Sequence, residues 1–281
     1  MKNYIYRIIW DHKYSLLLIY LYIFLAQLIF LAEPYILGKT IDGLLVNNYF
    51  WIFVFLGIEL VGNLFWYKRM VYDTKVYTKM YNQLIFEYLE QDKDSDVSAK
   101  LARTDLAQSI IHFLEWDMHY YIMSIITIVG TLSFIFIEHP PTGIVILTAT
   151  GPVLLIVFAF YKKIAKGTKV ANTHFEQKMS VMESEDEEKV KSFFKRRARV
   201  LIAQSTLQGK NWASLNIIKT VFLILALVVF TNSNFNLSQG QAISMYAYIN
   251  QFLVSLMSIP VGMETFTRIK DVLSRINSVK K

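Results

Sequence analysis

The chain has no cysteine, which excludes disulfides, zinc-thiolate sites and thiol redox chemistry together. Charge is scarce as well. Only 18% of the 281 residues are Asp, Glu, Lys or Arg, against 54% hydrophobic and 15% aromatic, and that is far too little polar surface for a soluble globule of this length. Proline and glycine are thin, with 5 and 11 in the whole chain, so long stretches run without a helix breaker. A phosphate loop is missing too: Gly38-Lys39-Thr40 has Glu33 where the required glycine would stand, and the triplet falls at the outer end of an apolar run. The first apolar run carries no small-residue cleavage site, so no cleaved signal sequence is expected. Nothing carries a cofactor fingerprint, and the chain is not expected to be an enzyme.

What is present is a series of apolar runs long enough to cross roughly 30 Å of hydrocarbon, at about 14–37, 50–67, 118–137, 143–161, 213–231 and 241–262. Each must pair its backbone internally while in lipid, so the reading is an all-α membrane protein of six spans. Basic residues orient it. Lys2, Arg7 and Lys13 precede the first span, seven Lys and Arg lie in 68–117, and eleven lie in 162–199 with Lys210 beyond. The opposite loops hold only Lys39. Both termini are therefore expected in the cytoplasm, and the net charge of +7 is a topological signal that suits anionic lipid, with no nucleic-acid partner implied.

Connection lengths add a second pattern. The outer loops are short, whereas the two inner ones run about fifty residues each, 68–117 and 162–212, with few breakers and many helix formers. Membrane helices are thus predicted to continue into the cytoplasm and turn back there. Ahead of the first span, Tyr4, Ile5, Ile8 and Ile9 share one face apart from Lys2 and Arg7, as in a helix lying along the interface. The organisation read from this is an interfacial elbow over 1–12, a six-helix domain over 13–266 and a short basic tail over 267–281. Only 21 residues follow Pro260, and no ATPase domain is expected in them.

An elbow, six spans and two long inner hairpins resemble the membrane domain of the type IV exporters of the ATP-binding-cassette superfamily. The most specific parts are Pro34-x3-Gly38-x2-Ile41-Asp42 in the first helix, and Ser238-x-Gly240 leading through Tyr248 to Pro260 in the sixth. The tail 268–276 is similar to the segment that leads toward a nucleotide-binding domain. The resemblance implies a homodimer in a plasma membrane, such as the bacterial inner membrane, with helices four and five exchanged around a central cavity. Small and polar residues in the spans, among them Ser124, Thr127, Ser133, Thr148 and Thr150, suit close helix contacts. In the second inner connection, 183–188 is acidic and 189–199 basic. It reads either as a solvated helix braced by Glu185–Lys189 and Glu187–Lys191, or as a docking surface for a separate ATPase.

Ionisable residues inside the spans carry the functional expectation. Glu59 stands near the middle of the second span, where a charge costs on the order of 2.5–3.5 kcal/mol on insertion scales. At the centre of a cavity that opens alternately to two sides it would take a proton on one and release it on the other. The structural alternative is an acid held by Asn63 one turn away or paired with Lys219 of the fifth span. Glu33, nearer the outer surface, is a gate or pathway candidate. His112, Glu115 and His119 fall at i, i+3 and i+7 where the third span begins, and would form one face able to relay protons or bind metal. Aromatics on the cavity wall would suit amphipathic cations.

Two functions of different classes follow. One is a gradient-driven transporter of hydrophobic, cationic or peptide-like cargo, multidrug or peptide transport without its own ATPase, as in peptide transporters that resemble exporter membrane domains. The other is the permease subunit of a split exporter with a separate ATPase. A non-transporting scaffold stands behind both.

Overall fold

A computed structural model of the chain describes residues 2–91, 104, 107–183, 186–233, 237–259, 262 and 265. Its helices in chain order are α1 (Lys2–Asp11), α2 (Lys13–Leu45), α3 (Phe50–Gln91), α4 (Met118–Glu138), entered through a π-helical turn at Phe113–Asp117, α5 (Pro140–Thr148), α6 (Thr150–Glu183), α7 (Glu187–Ser233) and α8 (Gln239–Leu256).

Among the described residues, five helical runs are long and apolar enough to cross a membrane: Lys13–Leu45, Phe50–Glu87, Ala107–Glu138, Pro140–Gly167 and Glu187–Asn232. The sixth expected span is not one of them. Its described part, α8, is 18 residues long and carries Gln239, Gln241, Asn250 and Gln251. Packing explains that polarity. α8 lies against α2, α4 and α7 and buries Met245, Tyr248, Ile249, Phe252, Leu253 and Leu256, so its surroundings are protein more than lipid. α3 is the opposite case: nothing in its most apolar window is buried within the chain.

Side chains gather in two cores. One joins α1, α2, α3 and the approach to α4 through Ile8, Ile19, Ile23, Tyr77, Met80 and Ile111. The other joins α4 to α8 through Ile135, Ile146, Val153, Leu215, Phe230, Tyr248 and Phe252. The first marks the α1 end of the bundle. At the opposite end the turns are tight. Asn47 adopts φ 55° between α2 and α3, a conformation Asn tolerates better than most residues. Between α4 and α5 a single residue turns the chain: His139 is extended, its ring accepts from the Thr142 N–H, and prolines fill the first helical positions of α5, where a missing N–H loses nothing.

α3, α6 and α7 are 42, 34 and 47 residues long, or roughly 63, 51 and 70 Å at 1.5 Å per residue. All exceed the hydrocarbon thickness. α6 packs on α5 and α7. At the start of α7, Asp186 accepts from the N–H groups of Glu188 and Lys189. Lys191 pairs with Glu187 at 2.5 Å as the spacing predicts. Lys189 pairs with Asp186 at 3.8 Å, while its expected partner Glu185 lies outside the described residues.

Candidate functional site

A cavity of about 350 Å³ lies between α2, α3, α4 and α8. α3 supplies Glu59, Asn63 and Trp66 at i, i+4 and i+7, one helical stripe, and α2 supplies Gln27, Phe30 and Glu33 from the facing side. Tyr120, Ser124 and Thr127 of α4 and Ser255 of α8 complete the polar part of the wall. Glu33 and Glu59 come from different helices and are close enough for their charges to interact. Among the described lining residues there is no Lys, Arg or His. Asn63 donates to the backbone carbonyl of Glu59 at 2.8 Å, so it does not tie up the carboxylate. Gln27, 2% exposed, donates to Thr127 Oγ1 at 2.6 Å and leaves its Oε1 without a hydrogen-bond partner.

Of the residues singled out in the sequence, Glu33, Glu59 and Asn63 thus share one cavity. Lys219, on α7, is not among its lining residues. The expected face of His112, Glu115 and His119 is split. The π-helical turn at Phe113–Asp117 inserts extra rotation between them, so His112 stays largely exposed, 4.0 Å from Asp117, while His119 is buried at 2%.

His119 enters a cluster the sequence reading missed. Arg69 Nε donates to Asp73 Oδ2 at 3.0 Å, His119 Nε2 lies 3.7 Å from the same oxygen, and the Tyr20 and Tyr77 rings flank the imidazole. The Arg69 guanidinium also lies 4.5 Å from the ring centre of Trp66, a wall residue of the cavity. Arg69 fell in the sequence among the seven basic residues of the 68–117 inner connection, where the helix is predicted to continue, and Asp73 was not singled out. The signal that would have found the pair is its i, i+4 spacing, continuing the stripe of Glu59, Asn63 and Trp66 by further turns.

At the far end, the motifs Pro34-x3-Gly38-x2-Ile41-Asp42 and Ser238-x-Gly240 meet. Asp42 accepts from Ser238 Oγ at 2.7 Å and from the Gly240 N–H at 2.8 Å, a carboxylate on the N-terminus of α8. Ser238 and Gln241 form a reciprocal capping box there. Gly38 and Gly240 touch backbone to backbone, with no room for a Cβ on either. Beside Pro34, where the helix ladder is interrupted, Ser244 Oγ donates to the Pro34 carbonyl at 2.7 Å and Tyr248 to the Leu31 carbonyl at 3.0 Å. The Gly38–Thr40 triplet is helical, and Thr40 donates to the Ile36 carbonyl at 2.8 Å.

Residues 5–240 match the family model of the ABC transporter transmembrane region. No curated protein matches the chain.

Proposed function

The chain belongs to the ABC transporter transmembrane-region family, and on that premise we propose that it is a dimeric, six-span transporter. In this reading its cavity exchanges protons for cationic or peptide-like cargo on Glu59 and Glu33. The observation that carries the proposal is the carboxylate pair itself. Two acids facing one another across a low-dielectric cavity repel, and the repulsion is relieved either by a proton on one of them or by a cation between them. Occupancy by cargo and by proton are then mutually exclusive, which is what coupled exchange needs. Nothing basic on the described wall competes for the carboxylates, and Trp66, Tyr120 and Phe30 offer ring faces to a cation.

Dimerisation is supported by what the protomer leaves uncovered. The apolar stretch of α3 is unburied, Leu201 and Ile202 of α7 are exposed, and the main packing partners of α6 among the described helices are its chain neighbours α5 and α7. A two-fold partner exchanging this hairpin would cover such surfaces. The excess of basic residues orients the α1 end toward the cytoplasm.

The test is reconstitution of the purified protein alone in liposomes with an imposed pH gradient and no nucleotide. Uptake of a hydrophobic cation or cationic peptide, abolished in Glu59→Gln with assembly intact, is the expected result. Transport that begins only when an ATPase subunit and ATP are added would overturn gradient coupling. It would establish the second reading, a permease driven by a separate ATPase, which the family match itself favours.

A further inference from the structure

Charge is scarce at the end of the bundle away from α1. Across the connections 38–49, 138–142 and 232–240 the sequence holds three residues that are Asp, Glu, Lys or Arg, namely Lys39, Asp42 and Glu138. All three line one cavity of about 130 Å³ between α2, α4, α7 and α8, with Tyr35, Gln241 and Ser244 on the same wall. It shares no described lining residue with the cavity of Glu33 and Glu59. Most of its polar groups are already used within the fold. Asp42 accepts from Ser238 Oγ and the Gly240 N–H, Gln241 Oε1 accepts from the Ser238 N–H, and Ser244 donates to the Pro34 carbonyl. Lys39 and Glu138 are the exceptions: among the described residues neither side chain makes a hydrogen bond or an ion pair, with the other or with anything else.

Both charges stand where local rules disfavour them. Glu138 is the last residue of α4, at the negative end of the helix dipole, and Lys39 is the one basic residue of the three connections, on the side that basic residues avoid. The Tyr35 ring, with its centre 5.5 Å from Lys39 Nζ, holds the ammonium at the cavity. We propose that this cavity is an outward-facing binding site for a small zwitterion of the α-amino acid type, its ammonium on Glu138 and its carboxylate on Lys39. The word outward rests on the orientation given by the basic residues; the site itself rests on neither the carboxylate pair nor the engine.

Charge and size select the ligand class together. A simple cation would meet Lys39 and a simple anion would meet Glu138 and Asp42, so only a group bearing both signs gains from both unpaired side chains. A volume of about 130 Å³ is room for roughly four waters at about 30 Å³ each, which is the size of an ammonium, one carbon and a carboxylate. Glu138 is exposed and Lys39 half-buried, so the mouth is open and a ligand side chain would point to solvent. Because Lys39 is on α2 and Glu138 on α4, the bound zwitterion would bridge two helices and raise the melting midpoint as it binds.

The test is a set of saturation-transfer NMR titrations of the purified full chain in deuterated mild detergent near neutral pH, with glycine, methylamine and acetate as probes. Glycine carries both charges and no side chain, and the other two carry one charge each. Glycine should bind at least about fivefold more tightly than either, the upper range of one partly exposed ion pair. Glu138→Gln and Lys39→Met should each weaken glycine by about the same factor. Lys39→Met should also strengthen methylamine, and Glu138→Gln should strengthen acetate, because each removes a repulsion; a purely structural role for these side chains would not give that crossed pattern. Glu59→Gln, in the other cavity, should leave glycine binding where it was. Wild-type protein that binds glycine no more tightly than methylamine or acetate would overturn the proposal, as would glycine affinity unchanged in both variants. If one variant fails to assemble, the other and the wild-type comparison decide.

Discussion

Replacing Asp42 tests whether the seam between α2 and α8 is held as its geometry indicates. The carboxylate accepts one hydrogen bond from Ser238 Oγ at 2.7 Å and one from the Gly240 N–H at 2.8 Å, joining residues 196 and 198 positions apart. Hydrogen bonds to a charged acceptor contribute about 1.5–3 kcal/mol each, and a negative charge on a helix N-terminus adds roughly 0.3–1 kcal/mol. Asp42→Ala removes all of this. The seam is only partly buried, so water satisfies some of the freed donors, and a net loss of about 2–4 kcal/mol is expected. Asp42→Asn keeps a carbonyl oxygen for the Gly240 N–H and turns its amide toward Ser238 Oγ, so about half the loss should return. Thermal unfolding in mild detergent, followed by intrinsic fluorescence, should rank wild type above Asn above Ala, with the Ala variant lower by roughly 5–10 °C. A change of a degree or less for Asp42→Ala would refute the reasoning and show that apolar packing alone holds the seam.

The close approach of Gly38 and Gly240 makes a paired comparison: Gly240→Ala drives a methyl into the Gly38 carbonyl and should destabilise strongly, while Gly57→Ala, with open space around it, should be neutral or gain up to about 1 kcal/mol of helix propensity in the same melt. Arg69→Leu leaves Asp73 buried without its partner and should cost about 3–5 kcal/mol, whereas Arg69→Met combined with Asp73→Leu should recover most of it; equal losses in the single and double variants would contradict the pairing. His139→Ala removes the cap of α5 and should cost about 1 kcal/mol, read as a lower melting midpoint with the fold retained by circular dichroism. In transport assays Glu33→Gln should weaken gradient-driven uptake less than Glu59→Gln; the reverse order would move the proton-responsive role to α2.

Length, hydropathy and the order of the runs determined that the chain is a helical membrane protein, because a backbone in lipid has so few ways to satisfy its hydrogen bonds, while the transporter type rested on the family resemblance. Depth alone also singled out Glu59, since one charge in an apolar run is visible without any neighbour. Other features were beyond local reading. Arg69 and Asp73 lie on the predicted helical extension beyond the apolar stretch of α3, but that they pair and are buried is decided by the approach of α4. His112 and His119 were placed on one helical face because a regular helical period was assumed, and a five-residue π-helical turn breaks it. The polarity of α8 became intelligible once its neighbours were seen to be helices. Gln27 carried no signal at all, since its role depends on Thr127 across the bundle. Periodicity records which residues share a face of one helix, but which faces meet is decided by contacts between residues a hundred to two hundred positions apart, where close packing and unpaired polar atoms select one arrangement.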